Sequence, residues 1–295
     1  MASELFKLRA KTDSRKANVV MTAITIGIPV LNGSKSIGKA IESAISQSNC
    51  DWKMVVSDNA STDDTRKVVE HYAQSEKRIS IKTLPKTVSA VENFGCLVNQ
   101  IDTRYFVFLA ADDYWSPNFL LEAQKVLDTK EDVFLVTGRV KLGNRFSAGT
   151  FSIADRSSTQ RVRQYLKMPS DNSRYYGLMR SQLASNIFSK LPKEPFYAYD
   201  WLQMAISLRH GKHHEINNIL LHRTPTPIPK YFDIIRSEKF LPFRWLPLGR
   251  FSYELFRNLP TEAILCAWEI AVLNYQILSL KNSARKPSNS PSVDI

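Results

Sequence analysis

From residue 23 to residue 137 the chain alternates short apolar, β-branched runs with stretches of helical periodicity, which narrows the possible folds more than any other feature. Residues 23–30 (AITIGIPV) read as a strand, and 34–47 as a helix with Ile37, Ala40, Ile41, Ala44 and Ile45 on one face. Residues 52–57 are a second strand. A helix is expected to begin near Ser61 or Thr62, where small hydroxyls and Asp63–Asp64 suit an N-terminus. Residues 79–81 read as a third strand, 88–101 as a helix, 105–109 as a fourth strand, 117–127 as a helix opened by Pro117, and 133–137 as a fifth strand. Strands separated by single helices imply right-handed crossovers, so an α/β fold with a mostly parallel central sheet is expected.

Beyond about residue 140 the pattern loosens. A helix is expected over 200–210, closed by Gly211, then a short strand over 216–221. Prolines and aromatics, including Phe240, Phe243 and Trp245, mark 224–247 as irregular, and 261–280 reads as a long apolar helix. The expected organisation is a basic arm over 1–21, a main domain over 22–225, a C-terminal helical extension over 226–281 and a Ser/Pro/Lys-rich disordered tail over 282–295.

Two acidic clusters follow predicted buried strands. Ser57–Asp58–Asn59–Ala60–Ser61–Thr62–Asp63 follows the second, and Ala110–Ala111–Asp112–Asp113 follows the fourth. In an open α/β sheet, ligands bind outside the carboxyl ends of the strands, so both clusters should line one crevice. Carboxylates released there are hard oxygen ligands for Mg²⁺ or Mn²⁺, which in turn hold a diphosphate. Asp58 could accept the ring N–H of a pyrimidine base, or simply serve turn and cap chemistry. Asp112 and Asp113 repel unless a cation joins them, or they cap the next helix. Asp200, flanked by Tyr199 and Trp201, is a general-base candidate because desolvation raises a carboxylate's pKa; an ordinary N-cap is the alternative.

The formal charge is +12, from 40 Lys/Arg and 28 Asp/Glu. Such an excess favours a phosphate-bearing partner: a nucleotide, an anionic membrane face or nucleic acid. No zinc-finger spacing or nucleic-acid motif accompanies it, so nucleic acid is not expected as a partner. Cys50, Cys96 and Cys266 form no CxxC pair, which fits a reducing cytosol. Residues 1–20 lack the apolar core of a signal peptide.

Taken in order, Ile28–Pro29–Val30–Leu31–Asn32, the Asp58 segment, and Leu109 to Trp115 (LAADDYW) resemble a family-2 inverting glycosyltransferase of the GT-A fold over about residues 22–225. The resemblance implies the Rossmann-like sheet of nucleotide-diphospho-sugar transferases with a helical appendage. It implies that Pro29, Asn32 and Asp58 hold the donor nucleotide, that Asp112, with Asp113 beside it, holds a divalent cation and diphosphate, and that Asp200 deprotonates the acceptor hydroxyl. Asn93 and Arg223 resemble family positions near the donor. The implied donor is a UDP- or dTDP-linked sugar, and the acceptor a saccharide or lipid-linked hydroxyl in polysaccharide, lipopolysaccharide or glycolipid synthesis. Two departures stand out: Ala110 replaces the first acid of the usual Asp-x-Asp metal motif, and Leu31 replaces an aromatic that stacks on the base.

A sugar nucleotidyltransferase is a rival, although Asn32–Gly33–Ser34–Lys35 is a thin match to its Gly-rich, Lys-containing loop. A catalytically silent protein binding a membrane or polymer is another, kept open by Ala110. Within 261–280, Glu262, Glu269 and Gln276 recur every seven residues, opposing a transmembrane reading. The helix should pack on the domain or lie in the plane of an anionic membrane, giving a cytoplasmic protein peripheral on the inner face.

Overall fold

The computed structural model describes residues 23–47, 50–147, 151–169, 173–224 and 246–283. The expected basic arm, most of the Pro-rich stretch and nearly all of the C-terminal tail lie outside these residues.

Strands β1 (Ile24–Val30), β2 (Trp52–Asp58), β3 (Ile79–Thr83) and β4 (Tyr105–Phe108) alternate with helices α1 (Ile37–Ile45), α2 (Thr65–Ser75) and α3 (Ala90–Val98). Next come the short β5 (Tyr114–Trp115), α4 (Phe119–Thr129), β6 (Val133–Leu142) and β7 (Arg145–Phe146). After α5 (Ser158–Lys167), a 3₁₀ turn over Ser173–Tyr176 leads into β8 (Leu178–Arg180), α6 (Ser181–Lys190), α7 (Tyr199–His210) and β9 (Lys212–Arg223). The C-terminal part holds α8 (Gly249–Asn258), α9 (Pro260–Leu265) and α10 (Ala267–Ser283).

One sheet runs in the order β3-β2-β1-β4-β8-β6-β9-β5, with β7 on β6. The half made of β3, β2, β1 and β4 is parallel. In the other half β8 is antiparallel to both β4 and β6, whereas β9 is parallel to β6. Side chains alternate across the sheet as a period of two demands. Tyr105, Val107 and Leu109 join Ile24, Ile26 and Ile28 against α1 and α4, while Phe106 and Phe108 pack on the opposite face with Leu97, Tyr165, Leu202 and Met204. Strands covered on both faces read as continuous apolar runs, which explains why β1 and β4 are so legible.

Several boundaries differ from the sequence reading, each for a tertiary reason. Helix α2 begins at Thr65, because the Ser61 and Thr62 hydroxyls reach across to Asn32 instead of capping it. Helix α4 begins at Phe119, after a left-handed Asn118, because Trp115 and Ser116 are drawn into pairing with β9. Strands β6 and β9 are longer than expected because they pair with each other nearly end to end. Gly211 follows α7 in extended geometry rather than as a left-handed cap. The apolar segment 261–280 is divided at Cys266 between α9 and α10, and its inner face joins the core through Ala263, Cys266, Leu273 and Ile277.

Candidate active site

The site lies where the order of strands reverses. From β1 the chain steps outward to β2 and β3, then returns to place β4 on the other side of β1. Pairing of β1 with β4 ends at Gly27–Phe108, while pairing with β2 continues to Val30–Asp58. The carboxyl ends of β1 and β4 therefore diverge, opening the crevice expected at such a switch point. Pro29, opposite Ser57, falls beyond the last pair with β4, where a missing N–H breaks no ladder bond.

The loops after β1 and β2 are stitched together. Asn32 has φ 54°, a left-handed conformation that Asn tolerates better than most residues. Its N–H donates to Ser61 Oγ (2.9 Å), and its Oδ1 accepts from Thr62 N (2.9 Å). Gly33 N donates to Thr65 Oγ1 (2.8 Å) and Ser34 N to Asp63 Oδ2 (3.1 Å). Hydrogen bonds, led by the Thr65 hydroxyl and followed by Ser34, hold the Asp63 carboxyl well below the usual carboxylate range. Asp58, the last residue of β2, is buried and accepts Ser61 N on Oδ1 (3.1 Å). Asn93 is also buried: its Oδ1 accepts from Ser57 Oγ (2.6 Å) and its Nδ2 donates to the Ser57 carbonyl (3.3 Å). It ties α3 to the end of β2 at Ser57, the residue before Asp58.

Beyond β4 the two acids separate in role. Asp112 is exposed. Asp113 is only 2% exposed, and both of its oxygens are engaged: Oδ2 by Arg223 Nε (3.1 Å) and Oδ1 by Thr224 N (3.0 Å). Thr224 Oγ1 in turn donates to the Asp112 carbonyl (2.8 Å). Burial pushes the Asp113 carboxyl up to about 6, against the opposing pull of Arg223 and Thr224 and with help from Asp112. Arg223 also donates to Ser173 Oγ (3.1 Å) and lies over the Tyr176 ring, 4.7 Å from its centroid. The end of β9 is thereby fastened across the mouth of the crevice.

Asp200 is not the cap of α7. The N-cap is Ala198, left-handed at φ 65°, and Asp200 sits in the first turn, half-buried, with Oδ1 accepting from Trp201 N (3.0 Å). A carboxylate there is favoured by the helix N-terminus. Tyr176 connects the two halves of the site. Burial raises its hydroxyl pKa, Arg223 opposes, and Asp113, Asp200 and Asp112 each add to the rise, so all four groups act on one phenol. Sequence reasoning missed Tyr176 and Thr224. The only signal was the pair Tyr175–Tyr176 before Gly177, where a Cβ would come within 2.7 Å of both Leu135 and the Val136 carbonyl.

Among the described residues no group of three or more His, Cys, Asp or Glu could form an all-protein metal cage. The arrangement fits a cation of another kind. Mg²⁺ is ordinarily held by one or two carboxylates plus substrate phosphates and water. One exposed carboxylate, Asp112, just beyond β4, is the protein group that such a donor set would require.

Comparison with known proteins agrees with this geometry. The family model described as glycosyl transferase family 2 matches residues 25–188, more than half of the chain. A putative teichuronic acid biosynthesis glycosyltransferase, TuaG, of Bacillus subtilis (strain 168) is 26% identical over 115 residues, covering 39% of this chain and 46% of that protein. An Escherichia coli UDP-Glc:alpha-D-GlcNAc-diphosphoundecaprenol beta-1,3-glucosyltransferase, WfgD, is 29% identical over 125 residues, 42% of this chain and 48% of that one. The chain thus spans less than half the length of these two curated relatives. Among solved structures, S. aureus TarS 1-349 in complex with UDP has a TM-score of 0.58 at 18% identity, covering 81% of this chain and 73% of that one. The mannosyltransferase PcManGT from Pyrobaculum calidifontis, in complex with GDP-Man and Mn²⁺, has a TM-score of 0.53 at 16% identity, covering 96% and 88%. These likenesses show the GT-A fold.

Proposed function

The chain belongs to glycosyl transferase family 2, and from that premise we propose that it transfers a sugar from a nucleoside-diphosphate donor to a hydroxyl acceptor with inversion at the anomeric carbon. The observation that carries this reading is the buried Asp113–Arg223 pair, stacked on Tyr176 beyond β4 and leaving the neighbouring Asp112 exposed at the β1–β4 switch point. Asp58 accepts the ring N–H of the base, which favours a UDP- or dTDP-sugar over a purine donor. Pro29 and Asn32 shape the wall beside it, and Asn93 supports Asp58 through the neighbouring Ser57. Asp113 fastens Arg223 and the Thr224 backbone, leaving the exposed Asp112 for the cation and the cationic Arg223 near the diphosphate.

Asp112 would hold a divalent cation, Mg²⁺ or Mn²⁺, which would neutralise charge on the departing diphosphate. Asp200 takes the proton of the acceptor hydroxyl as its oxygen bonds to the anomeric carbon. The bond from that carbon to the diphosphate oxygen breaks, and the nucleoside diphosphate leaves with the electron pair. The relatives' names support an acceptor in cell-surface polymer or lipid-linked saccharide synthesis. Among the described residues no helix is long and apolar enough to cross a membrane. A lipid-linked acceptor is reached at the inner membrane face in this reading, with the protein placed peripherally.

Donor hydrolysis tests the reading: UDP-glucose and UDP-GlcNAc are incubated with the full chain, with Mn²⁺ or with EDTA, and UDP release is followed. Cation-dependent release that is lost in Asp112→Asn, with the unfolding transition unchanged, is the expected result. No release from any nucleotide sugar would overturn it and favour a catalytically silent protein, whereas near-normal turnover in Asp112→Asn would overturn the role given to Asp112.

A further inference from the structure

We propose that the outer face of α8–α10 is a membrane-docking surface that seats in the interfacial layer of an anionic bilayer. The proposal deepens the reading above, since it assigns the face by which a lipid-linked acceptor would be reached.

The C-terminal helices bury their acids and leave large apolar side chains on the outside. Between residues 246 and 279 all three carboxylates turn inward: Glu254 and Glu262 are buried, and the Glu269 side chain is 11% exposed. Each has a cationic partner there. Glu262 pairs with Arg209 (2.8 Å), Glu269 with Arg163 (3.3 Å), and Glu254 with Arg250 and Arg257 (3.5 Å each). Asn274 also faces in, accepting Leu248 N on Oδ1 (3.1 Å). Besides the apolar residues that join the core, such as Phe251, Leu255, Leu273 and Ile277, several large apolar side chains face out. Trp268 is 77% exposed, Tyr275 74%, Ile264 64%, Phe256 53% and Leu265 51%. Only one exposed residue on this stretch carries a charge, the basic Arg257.

Water alone would disfavour such an arrangement, and a bilayer interface favours every part of it. Trp and Tyr settle at the headgroup level with Ile, Leu and Phe reaching below it. A carboxylate on this face would be repelled by anionic lipid, and none is present. Arg257 and the +12 charge of the chain are attracted to the same surface, so docking gains a salt-sensitive component. A patch shared with a second copy of the chain would bring Arg257 and the positive field of both copies together. Charge complementarity therefore favours the lipid.

The full chain is sedimented with phosphatidylglycerol-containing and with purely zwitterionic vesicles, at low and high salt. The parent is expected to pellet with the anionic vesicles at low salt and to be released by high salt. Leu265→Glu/Trp268→Glu, which alters only exposed positions, is expected to lower vesicle affinity by roughly tenfold or more. Its unfolding midpoint and its soluble-donor hydrolysis should match those of the parent, which separates this proposal from the catalytic one. Three outcomes would overturn the docking proposal: a parent that stays in the supernatant, equal binding to neutral vesicles, or a variant that pellets like the parent. Light scattering that shows a parent dimer dissociated by the same substitutions would assign the face to a second copy instead.

Discussion

Removing Arg223 should harm the protein more than removing Asp113, and the excess should disappear in acid. Burial lifts the Asp113 carboxyl from 3.8 to about 6 even with Arg223 beside it. At about 1.4 kcal/mol per pH unit, the ionised form lies roughly 3 kcal/mol above its level in water. Arg223→Gln strips that carboxylate of its counter-ion, but the carboxyl can then stay protonated, so this part of the cost at pH 7 is limited to about 1.4 kcal/mol, and loss of the Ser173 bond and the Tyr176 contact brings the total to about 3 kcal/mol. Asp113→Asn leaves Arg223 bonded to Ser173 and stacked on Tyr176, and its amide oxygen can still accept from Thr224 N. Its cost should be about 1–2 kcal/mol, the worth of a charged hydrogen bond partly replaced. The sign with pH follows from the raised folded value. The folded protein holds a proton on this carboxyl that the unfolded chain has released, so the group is most favourable below 3.8 and loses its contribution as pH rises through 6. Without Arg223 the folded value climbs further, so the Arg223→Gln penalty should be about 1.4 kcal/mol greater at pH 7 than at pH 5. Urea unfolding of both single variants and the double at the two pH values measures this, with the double at pH 7 costing less than the sum. Arg223→Gln no costlier than Asp113→Asn at pH 7, or a penalty unchanged at pH 5, would refute the pairing.

Asp200→Asn should reduce turnover by about 10²–10⁴-fold with little change in donor affinity; collapse of donor binding in calorimetry would make Asp200 structural. Asp58→Ala should abolish a preference for UDP over GDP, and equal affinities in the parent would sink the base-reading role. Burial, aided by the neighbouring Arg174 cation, holds the His213 pKa well below the ordinary 6.5, with Nε2 bonded to Thr137 Oγ1 at 2.8 Å. The unfolded chain therefore takes up this proton first, so stability present above pH 6.5 should fall as pH drops below it, by about 1.4 kcal/mol per pH unit. His213→Gln should flatten the slope; an unaltered slope would show that other groups carry it.

The alternation of apolar runs with helical faces was enough to place β1 to β4 and their helices, most plainly β1 and β4, where burial on both sides leaves almost no polar residue to blur the pattern. The same reasoning put Asp58 at the end of β2 and Asp112–Asp113 just beyond β4, since a strand gives way to polar residues where it leaves the core. It placed less of what depends on distant partners. Ser89 and Glu92 form a capping box for α3, a local signal visible in the chain. The division of labour between Asp112 and Asp113, by contrast, is set by Arg223 and Thr224, 110 and 111 residues away. Tyr176 enters the site because β8 is threaded antiparallel between β4 and β6, which no periodicity within three residues of strand can reveal. The seven-residue spacing of Glu262 and Glu269 was plain in the sequence, but the direction they face was not. Arg209 and Arg163, carried on α7 and α5, turn those acids inward and leave Ile264, Trp268 and Tyr275 outside. Local pattern determined which elements form, and long-range ion pairing determined which of their faces meets the solvent.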